Sequence, residues 1–336
     1  VGLGNLGRRF CGILLEKQAE LKERYGLTFR LVCAVDSRGG AYNPEGLNLK
    51  HIVALKTSGG TIADYPRYGR LGWRAIDAVS SVEADILLEA SPVNIDAGAE
   101  PGLTCIRRAL RKGMHVVSPN KGPFVVAYEE LHNLADRSGV KIRFDGTVAG
   151  GLPALNIGMR DLRGAQVISI QAVPNLVTGY MMDMLSDGVS FGCAAERAKD
   201  EGVLEGDGSW DIDGWDAAAK LTILTKAVMG LPVEMNDVIR TGIRELAPEM
   251  LAKARENGFI YRLLARTDRL PDGSLAMSVR PTPLPSMHPL GCLGSKQMGV
   301  VYETDIYGTI TLIIDEENPI PSSATMLRDI LDIVLS

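Results

Sequence analysis

The residues of this sequence best suited to chemistry lie between 205 and 220, where carboxylates and a lysine follow one another at short spacing. Asp216 and Lys220 are four residues apart, so on a helix they share one face. Glu205 stands upstream, before an acidic, glycine-rich loop that contains Asp211. Such a face could hold a polar substrate and move a proton. The simpler alternative is a surface ion pair, which stabilises an exposed helix by about 0.2–0.5 kcal/mol.

A glycine-rich turn opens the chain. Gly2, Gly4 and Gly7 form a G-x-G-x-x-G run that leads into a helical pattern beginning near Asn5 and Leu6. In a dinucleotide-binding unit these glycines allow a tight turn, a close approach to the pyrophosphate and helix–strand packing, and the helix N-terminus faces the diphosphate. The strand expected before the first glycine is almost absent, and we expect that a short preceding segment is missing.

A second apolar strand is predicted over 29–35 and ends at Asp36. An acidic residue at this position reads the ribose hydroxyls of the adenosine. Arg38, two residues later, could instead meet a 2′-phosphate, with Lys50 and Lys56 as further candidates. The sequence therefore leaves both NAD and NADP open.

The composition is typical of a cytoplasmic enzyme. With 336 residues, of which 46% are hydrophobic and 23% charged, the chain is long enough for two domains. It contains no apolar run of the roughly 18 residues that a membrane span needs, and a net charge of −5 argues against a nucleic-acid partner. Five scattered cysteines without C-x-x-C spacing disfavour a disulfide framework or zinc site. The four histidines form no metal-binding pattern, so a lysine or carboxylate is expected to transfer protons.

Two domains are predicted from the order of the elements. Strands alternate with helices through the first 145 residues, which favours a Rossmann-type, doubly wound parallel sheet of the α/β class. The second half favours an α+β domain with a mainly antiparallel sheet. The predicted boundaries are 1–147, completed by a C-terminal helix at 319–336, for the dinucleotide-binding domain, and 148–318 for a catalytic and dimerisation domain.

Two predicted strands of the first domain end in polar residues. One covers 84–90 and leads to Ser91 and Pro92, and the other leads to Asn120 and Lys121. Ligands of open α/β sheets bind outside the carboxyl ends of the strands, so Lys121 is expected beside a nicotinamide. A solvated loop lysine is the alternative.

Taken together, these segments resemble homoserine dehydrogenase. The resemblance is carried by the first glycine-rich turn, by S-P-N-K-G-P at 118–123, by 144–153, and most specifically by G-W-D-A-A-A-K-L-T-I-L at 214–224. It implies reversible oxidation of L-homoserine to L-aspartate 4-semialdehyde with NAD or NADP, in threonine and methionine biosynthesis. It also implies a homodimer formed through the sheet of the second domain.

The resemblance further implies roles for individual residues. Lys220 would serve as acid and base for the substrate hydroxyl, a role that a positioned amine can fill, with Lys121 as a second catalytic lysine. Substrate-binding positions are matched by Glu205, Asp211, Asp216, Thr178 and Asn175. A monovalent cation, usually sodium, would be held by Asp145 and the carbonyls of Val148, Gly150 and Leu152, although the family carries a longer glutamate at the first position.

The substrate pocket departs from the family pattern. Where the family has N-G-T-T-N-Y, this chain has N-L-V-T-G-Y, which introduces Leu176 and Val177; Val203 replaces a tyrosine, and 315–321 replaces a loop rich in glycine and alanine. Three interpretations follow: a homoserine dehydrogenase with an unusual pocket, a related dehydrogenase acting on a different hydroxy or oxo acid, or a nicotinamide sensor without turnover.

Overall fold

The structure is a computed structural model that describes residues 1–204 and 206–336. It divides into two compact units: the first comprises Val1–Gly151 and Asn318–Ser336, and the second comprises Leu152–Glu317. Glu205 lies outside the described residues. In the part of the chain that is described, no helix is both long enough and apolar enough to cross a membrane.

The first unit alternates helices and short strands. Its elements are α1 (Asn5–Tyr25), β1 (Cys33–Asp36), β2 (Gly39–Tyr42), α2 (Leu49–Thr57), β3 (Gly69–Leu71), α3 (Ala75–Ser81), β4 (Ile86–Leu88), α4 (Gly102–Arg111), β5 (His115–Val117), α5 (Lys121–Ser138) and β6 (Ile142–Arg143), with 3-10 turns at Ile62–Asp64 and Asp145–Thr147. The C-terminal helix of the chain, Ile320–Leu335, belongs to the same unit.

The second unit contains the longer strands. Its elements are α6 (Ala154–Asn156), which continues into a π-helical turn at Ile157–Asp161, β7 (Val167–Val173), α7 (Leu176–Ser186), α8 (Phe191–Asp200), α9 (Ser209–Ile212), α10 (Trp215–Leu224), a π-helical turn at Thr225–Met229, a 3-10 turn at Met235–Asp237, β8 (Ile239–Arg240), α11 (Pro248–Glu256), β9 (Phe259–Arg269), β10 (Leu275–Pro285), β11 (Gln297–Thr304) and β12 (Thr309–Asp315). In chain order the C-terminal helix is therefore α12.

The predicted α/β class is confirmed, and the parallel sheet of the first unit consists of β4, β5 and β6. Its first strands differ from the expectation, because β1, β2 and β3 form a separate antiparallel sheet. Asp36 pairs with Gly39, so only two residues connect β1 to β2. Two parallel strands need a connection of a dozen or more residues. The two-residue turn between β1 and β2 is too short for that, so these strands can pair only in the antiparallel direction.

The core of the first unit forms where α1 packs against α12 and α2. Phe10, Leu14 and Leu21 lie along one face of α1, and Met326 and Ile330 of α12 belong to the same buried cluster. Residues spaced by three, four or seven positions share a helix face. The C-terminal helix therefore supplies part of the core beneath the glycine-rich turn.

The second unit is built on a six-stranded sheet in the order β12-β11-β7-β9-β10-β8. All neighbouring pairs are antiparallel except β10 with β8, which confirms the mainly antiparallel sheet expected for this unit. Helices α7, α10 and α11 all contact the central strand β9. This sheet and its helices position the carboxylates and the lysine described below.

Strand β10 extends further than the sequence pattern predicts. The sequence pattern predicts a strand over Leu275–Arg280, but the strand continues to Pro285 and pairs with β9 throughout. Pro281, Pro283 and Pro285 occupy alternate positions, so their missing N–H groups face one side of the strand. Proline is tolerated where that side is a sheet edge, and β8 covers only Ser278 and Val279 of this edge.

Candidate active site

The glycine-rich turn leaves open space at its second glycine. A Cβ added to Gly2 would lie 2.3 Å from a backbone carbonyl after β4, and one on Gly7 would lie 2.2 Å from the carbonyl of Gly2, whereas nothing lies within 4 Å of a Cβ on Gly4. Gly4 is the N-cap of α1, and among the described residues no side-chain hydrogen bond caps that end of the helix. Such helix ends bind anions, and the turn therefore fits the diphosphate of a dinucleotide.

Asp36, predicted to read the ribose, already accepts four hydrogen bonds. Oδ2 accepts from Lys56 Nζ at 2.7 Å and the Ile62 N–H at 2.9 Å, and Oδ1 accepts from the Thr61 hydroxyl at 2.8 Å and the Arg38 N–H at 3.1 Å. Burial by itself would raise the pKa of Asp36, but these hydrogen bonds lower it. A carboxylate offers about four acceptor sites, so its capacity is largely used within the protein.

Basic side chains surround Asp36 on the open side. A cavity of about 370 Å³ is lined by Arg8, Arg38, Lys56 and Asp36, among others. The Arg38 guanidinium reaches the Gly59 carbonyl at 3.3 Å, and Lys56 forms an ion pair with the aspartate. Three cations against one anion make this a site of net positive charge.

The polar residues after β4 and β5 are joined by a buried carboxylate that the sequence analysis missed. Glu89 is 0% exposed and accepts from the Ser91 N–H at 2.8 Å and from the hydroxyls of Ser91 and Ser118. The Ser118 hydroxyl in turn accepts from the Asn120 N–H at 3.1 Å. A charged residue at the end of an apolar strand was the available signal. Through these hydrogen bonds Glu89 links the segments that follow β4 and β5, where a nicotinamide is expected.

Three further predicted residues lie at these strand ends. Asn120 caps α5 by accepting from the Gly122 N–H at 3.0 Å, and Lys121 is the first residue of that helix. Pro92 follows Ser91 and is exposed. Each lies at the carboxyl end of the parallel sheet, as the sequence analysis expected.

In the second unit Lys220 is held in a polar cluster. Its Nζ lies 2.7 Å from Asp216 Oδ2 and donates to the Pro174 carbonyl at 2.7 Å. The Lys220 side chain is 15% exposed and that of Asp216 is 8% exposed. The pair is therefore shielded from solvent, unlike the exposed ion pair that was the simpler alternative.

Asn175 joins the same cluster from the start of α7. Its Nδ2 donates to Asp211 Oδ1 and Asp216 Oδ2, each at 2.6 Å. Its Oδ1 accepts from the buried Thr178 N–H at 3.0 Å. The structure thus brings together Asp211, Asp216, Asn175, Thr178 and Lys220, and the prediction for Glu205 falls outside the described residues.

The predicted cation site contains a guanidinium from α12. Arg328 donates to Asp145 Oδ2 at 2.5 Å and to the Gly151 carbonyl at 3.0 Å. The Asp145 side chain is 1% exposed, and its N–H donates to Asp329 at 3.1 Å. Burial, followed by the charge of Asp145, raises the pKa of Asp329 to about 7.

Two other features carry no chemistry for this site. A larger cavity of about 1040 Å³ runs along β1 and β4 and is lined mostly by apolar side chains.

Burial raises the pKa of the thiols of Cys11, Cys33 and Cys105 to about 11, so these thiols are protonated at neutral pH and are poor nucleophiles.

Comparison with known proteins decides the family. The family model described as homoserine dehydrogenase matches residues 153–331, and the model described as homoserine dehydrogenase, NAD binding domain, matches residues 2–145. Homoserine dehydrogenase of Methanocaldococcus jannaschii is 33% identical over 334 residues, which cover 99% of this chain and 97% of that protein. The chain belongs to the homoserine dehydrogenase family.

Other members of the homoserine dehydrogenase family agree with this assignment. An NAD(+)-dependent homoserine dehydrogenase of Pseudomonas canavaninivorans is 28% identical, with 99% of this chain and 94% of that protein covered. The crystal structure of a putative homoserine dehydrogenase from Archaeoglobus fulgidus has a TM-score of 0.88 at 28% identity, covering 99% and 97% of the two chains. A hyperthermophilic archaeal homoserine dehydrogenase in complex with NADPH has a TM-score of 0.86 at 28% identity, covering 99% and 96%.

As a member of the homoserine dehydrogenase family, the chain has an NAD(P)-binding domain and the fold of an oxidoreductase that acts on a CH–OH group. Two of its departures from the family pattern lie beside the polar cluster. Leu176 and Val177 are the first residues of α7, directly after Asn175, and both are half-buried.

Proposed function

We propose that this chain oxidises L-homoserine to L-aspartate 4-semialdehyde, and catalyses the reverse reaction, with NAD(P) as the hydride carrier. The observation that supports this most is the shielded cluster of Lys220, Asp216 and Asp211. The two carboxylates can bind the ammonium group of the substrate. The shielded amine of Lys220 can exchange a proton with the substrate hydroxyl. In the reverse, reducing direction the product is L-homoserine, which would serve threonine and methionine formation.

The chemistry divides between hydride and proton. NAD(P)⁺, when bound, accepts a hydride from the carbon that bears the substrate hydroxyl. Lys220 takes the hydroxyl proton as the C–O bond becomes a carbonyl, and it returns the proton in the reverse reaction. Asp216 and Asp211 hold the substrate ammonium, together with Glu205 by its match to the family pattern. Lys121, at the carboxyl end of β5, is the second proposed catalytic lysine.

A second candidate substrate is favoured by the departures in the pocket. Leu176 and Val177 replace residues that would offer backbone access and a hydroxyl, and each hydrogen bond lost to a charged substrate weakens its binding by about 1.5–3 kcal/mol. A less polar hydroxy or oxo acid is therefore the alternative substrate. The third interpretation is a nicotinamide sensor without turnover. Oxidation of a panel of hydroxy acids separates all three.

The cofactor is proposed to be NADP rather than NAD. Asp36 has its acceptor sites filled, and Arg8, Arg38 and Lys56 leave net positive charge around it. A 2′-phosphate fits such a site better than a bare ribose hydroxyl, because charge-assisted hydrogen bonds to phosphate are strong.

Replacing Arg38 with alanine tests this cofactor preference. Because a hydrogen bond to a charged group contributes about 1.5–3 kcal/mol, we expect KM for NADP to rise by about tenfold to a hundredfold, with KM for NAD little changed. Initial rates with each cofactor provide the measurement. Arg9→Ala is the matched control, since Arg9 lies on α1 and donates to the Asn5 carbonyl but does not line the cavity beside Asp36. An equal rise for both cofactors would remove the phosphate role.

We also propose that Arg328 supplies the positive charge that a monovalent cation would bring to the loop at 145–151. The guanidinium is already hydrogen-bonded to Asp145 and to the Gly151 carbonyl, so the residues present do not fit a sodium ion at this carboxylate. A guanidinium with several fixed donors suits such a bridging position.

Exchange of sodium chloride for choline chloride at equal ionic strength tests this proposal. We expect kcat, KM and Tm of the enzyme to stay the same, because the internal cation does not dissociate. Potassium chloride serves as the control for other monovalent ions. A fall in activity that only added sodium reverses would show that the loop does bind the ion.

The proposed assembly is a homodimer formed through the sheet of the second unit. Ile306, Tyr307 and Ile313 are exposed on the β11–β12 hairpin, at 62%, 50% and 44%. Large apolar side chains grouped at a sheet edge are typical of an interaction surface.

The proposed compartment is the cytoplasm, since all five cysteines are unpaired, as is usual under reducing conditions.

A further inference from the structure

Asn175 uses all of its hydrogen-bonding groups inside the protein. Its two Nδ2 hydrogens go to Asp211 and Asp216 at 2.6 Å each, and its Oδ1 accepts from the Thr178 N–H at 3.0 Å. Asn175 is also 6% exposed. A side-chain amide has two donors and one acceptor oxygen, so none of its donors is left for a substrate.

The two carboxylates that share this amide come from different helices. Asp211 lies on α9 and Asp216 lies in the first turn of α10. Because both oxygens contact one nitrogen, they cannot be further apart than twice 2.6 Å. Two ionised carboxylates at that separation repel each other, and the amide is the neutral donor placed between them.

The amide is itself fixed by backbone geometry. Asn175 is the N-cap of α7 and follows Pro174, whose carbonyl accepts from Lys220 Nζ at 2.7 Å. The two residues after β7 therefore contact all three charged groups. Pro174 accepts a hydrogen bond from Lys220, and Asn175 donates one to each of the two carboxylates. The Asp216 Oδ2 atom lies 2.6 Å from Asn175 and 2.7 Å from Lys220.

From this arrangement we propose that Asn175 is a positioning residue, which orients Asp211 and Asp216 to receive the substrate ammonium and does not contact the substrate itself. This inference rests on the proposed function. It replaces the substrate contact that the family pattern implied for Asn175, and it explains how two acids from separate helices present one binding surface.

Variants that keep the helix cap isolate the role of the amide. Serine and aspartate both cap helices well, so Asn175→Ser and Asn175→Asp preserve an acceptor for the Thr178 N–H while removing both Nδ2 donors. The serine hydroxyl keeps at most one donor and an ionised aspartate keeps none, so neither variant can donate to both acids. We expect KM for L-homoserine to rise by about tenfold or more in each, because the acids are no longer oriented, and kcat to change by less than about threefold. Asn48→Ala removes the cap of α2, where Asn48 accepts from the Lys50 and His51 N–H groups, and it is the control for cap loss alone.

Thermal unfolding gives a readout that does not depend on the substrate. Lys220 faces Asp216 from α10, and Arg244 pairs with Asp213 on the neighbouring segment. Without the amide, the two carboxylates repel each other when both are ionised, so the Tm deficit of Asn175→Ser should be larger at pH 8 than near pH 3, which is below the ordinary aspartate pKa of about 3.9. The deficit of Asn48→Ala should be similar at both.

The outcomes separate the two proposals. If the unaltered protein does not oxidise L-homoserine, the proposed function fails, and the pH-dependent Tm deficit still decides the role of Asn175. A wild-type KM for homoserine in both cap-preserving variants, or a Tm deficit equal at the two pH values, would reduce Asn175 to a helix cap and overturn the inference.

Discussion

Replacing Lys220 with methionine is expected to lower kcat for L-homoserine by about a thousandfold, within the 10²–10⁴-fold range of general acid–base catalysis. The methionine keeps the length of the side chain but removes the group that exchanges the hydroxyl proton. Affinity for NADP should stay near the wild-type value, because the basic side chains proposed to hold its 2′-phosphate, Arg8, Arg38 and Lys56, are unchanged. Steady-state rates and a fluorescence titration of NADPH give the two measurements.

Lys220→Arg is the matched control for charge. Arginine preserves a cation next to Asp216 but does not give up its proton near neutral pH. We therefore expect a loss of kcat close to that of Lys220→Met. Full activity in the arginine variant would show that Lys220 acts only as an ion-pair partner, and a different acid and base would have to be found.

The second large effect concerns the pH dependence of stability and lies in α12. The pKa of Asp329 is raised from 3.8 to about 7 when the protein folds. A raised carboxyl pKa means that the folded state holds the proton more tightly, so its contribution is complete below about pH 4 and is lost as the pH rises through about 7. The change across that window is roughly 4 kcal/mol, at 1.36 kcal/mol per pKa unit.

Asp329→Asn should remove this dependence, since a neutral amide has no proton to lose and its oxygen can still accept from the Asp145 N–H. We expect the variant to match the wild type near pH 4 and to have a higher Tm at pH 8. Differential scanning calorimetry over this range measures the difference. Asp332→Asn, on the same helix, breaks the ion pair with Arg143 and should not be more stable than the wild type. Parallel Tm curves for wild type and Asp329→Asn would contradict the account.

Much of the fold could be predicted because local patterns determine it. The spacing of Asp216 and Lys220 indicated a helix, and α10 begins at Trp215. The sequence pattern predicts a strand over 309–314, and β12 covers Thr309–Asp315. The β1–β2 hairpin was missed because the two-residue turn after Asp36 gives no periodic signal. The end of β10 was missed because its prolines are tolerated only at a sheet edge, which the sequence does not reveal.

The candidate site was predictable only in part, since the remaining contacts join distant segments. Asn175 and Asp216 are 41 residues apart and Arg328 and Asp145 are 183 apart. Residue types and motif spacing predicted roles for Asn175, Asp216 and Asp145, but they gave no signal for Arg328 and could not indicate which hydrogen-bonding groups are used within the protein. Three of the four donors to Asp36 and the guanidinium at Asp145 come from segments at least 20 residues away. The proposals for NADP and for an internal cation depend on these contacts.

The central claim is most directly tested by the oxidation of L-homoserine itself. Purified protein is supplied with NADP or NAD and with L-homoserine or a panel of less polar hydroxy acids, and nicotinamide reduction is followed by absorbance. The account predicts the highest kcat/KM for L-homoserine, with NADP preferred and with L-aspartate 4-semialdehyde as product. A higher kcat/KM for another hydroxy acid, or binding of NADPH without turnover of any alcohol, would contradict it.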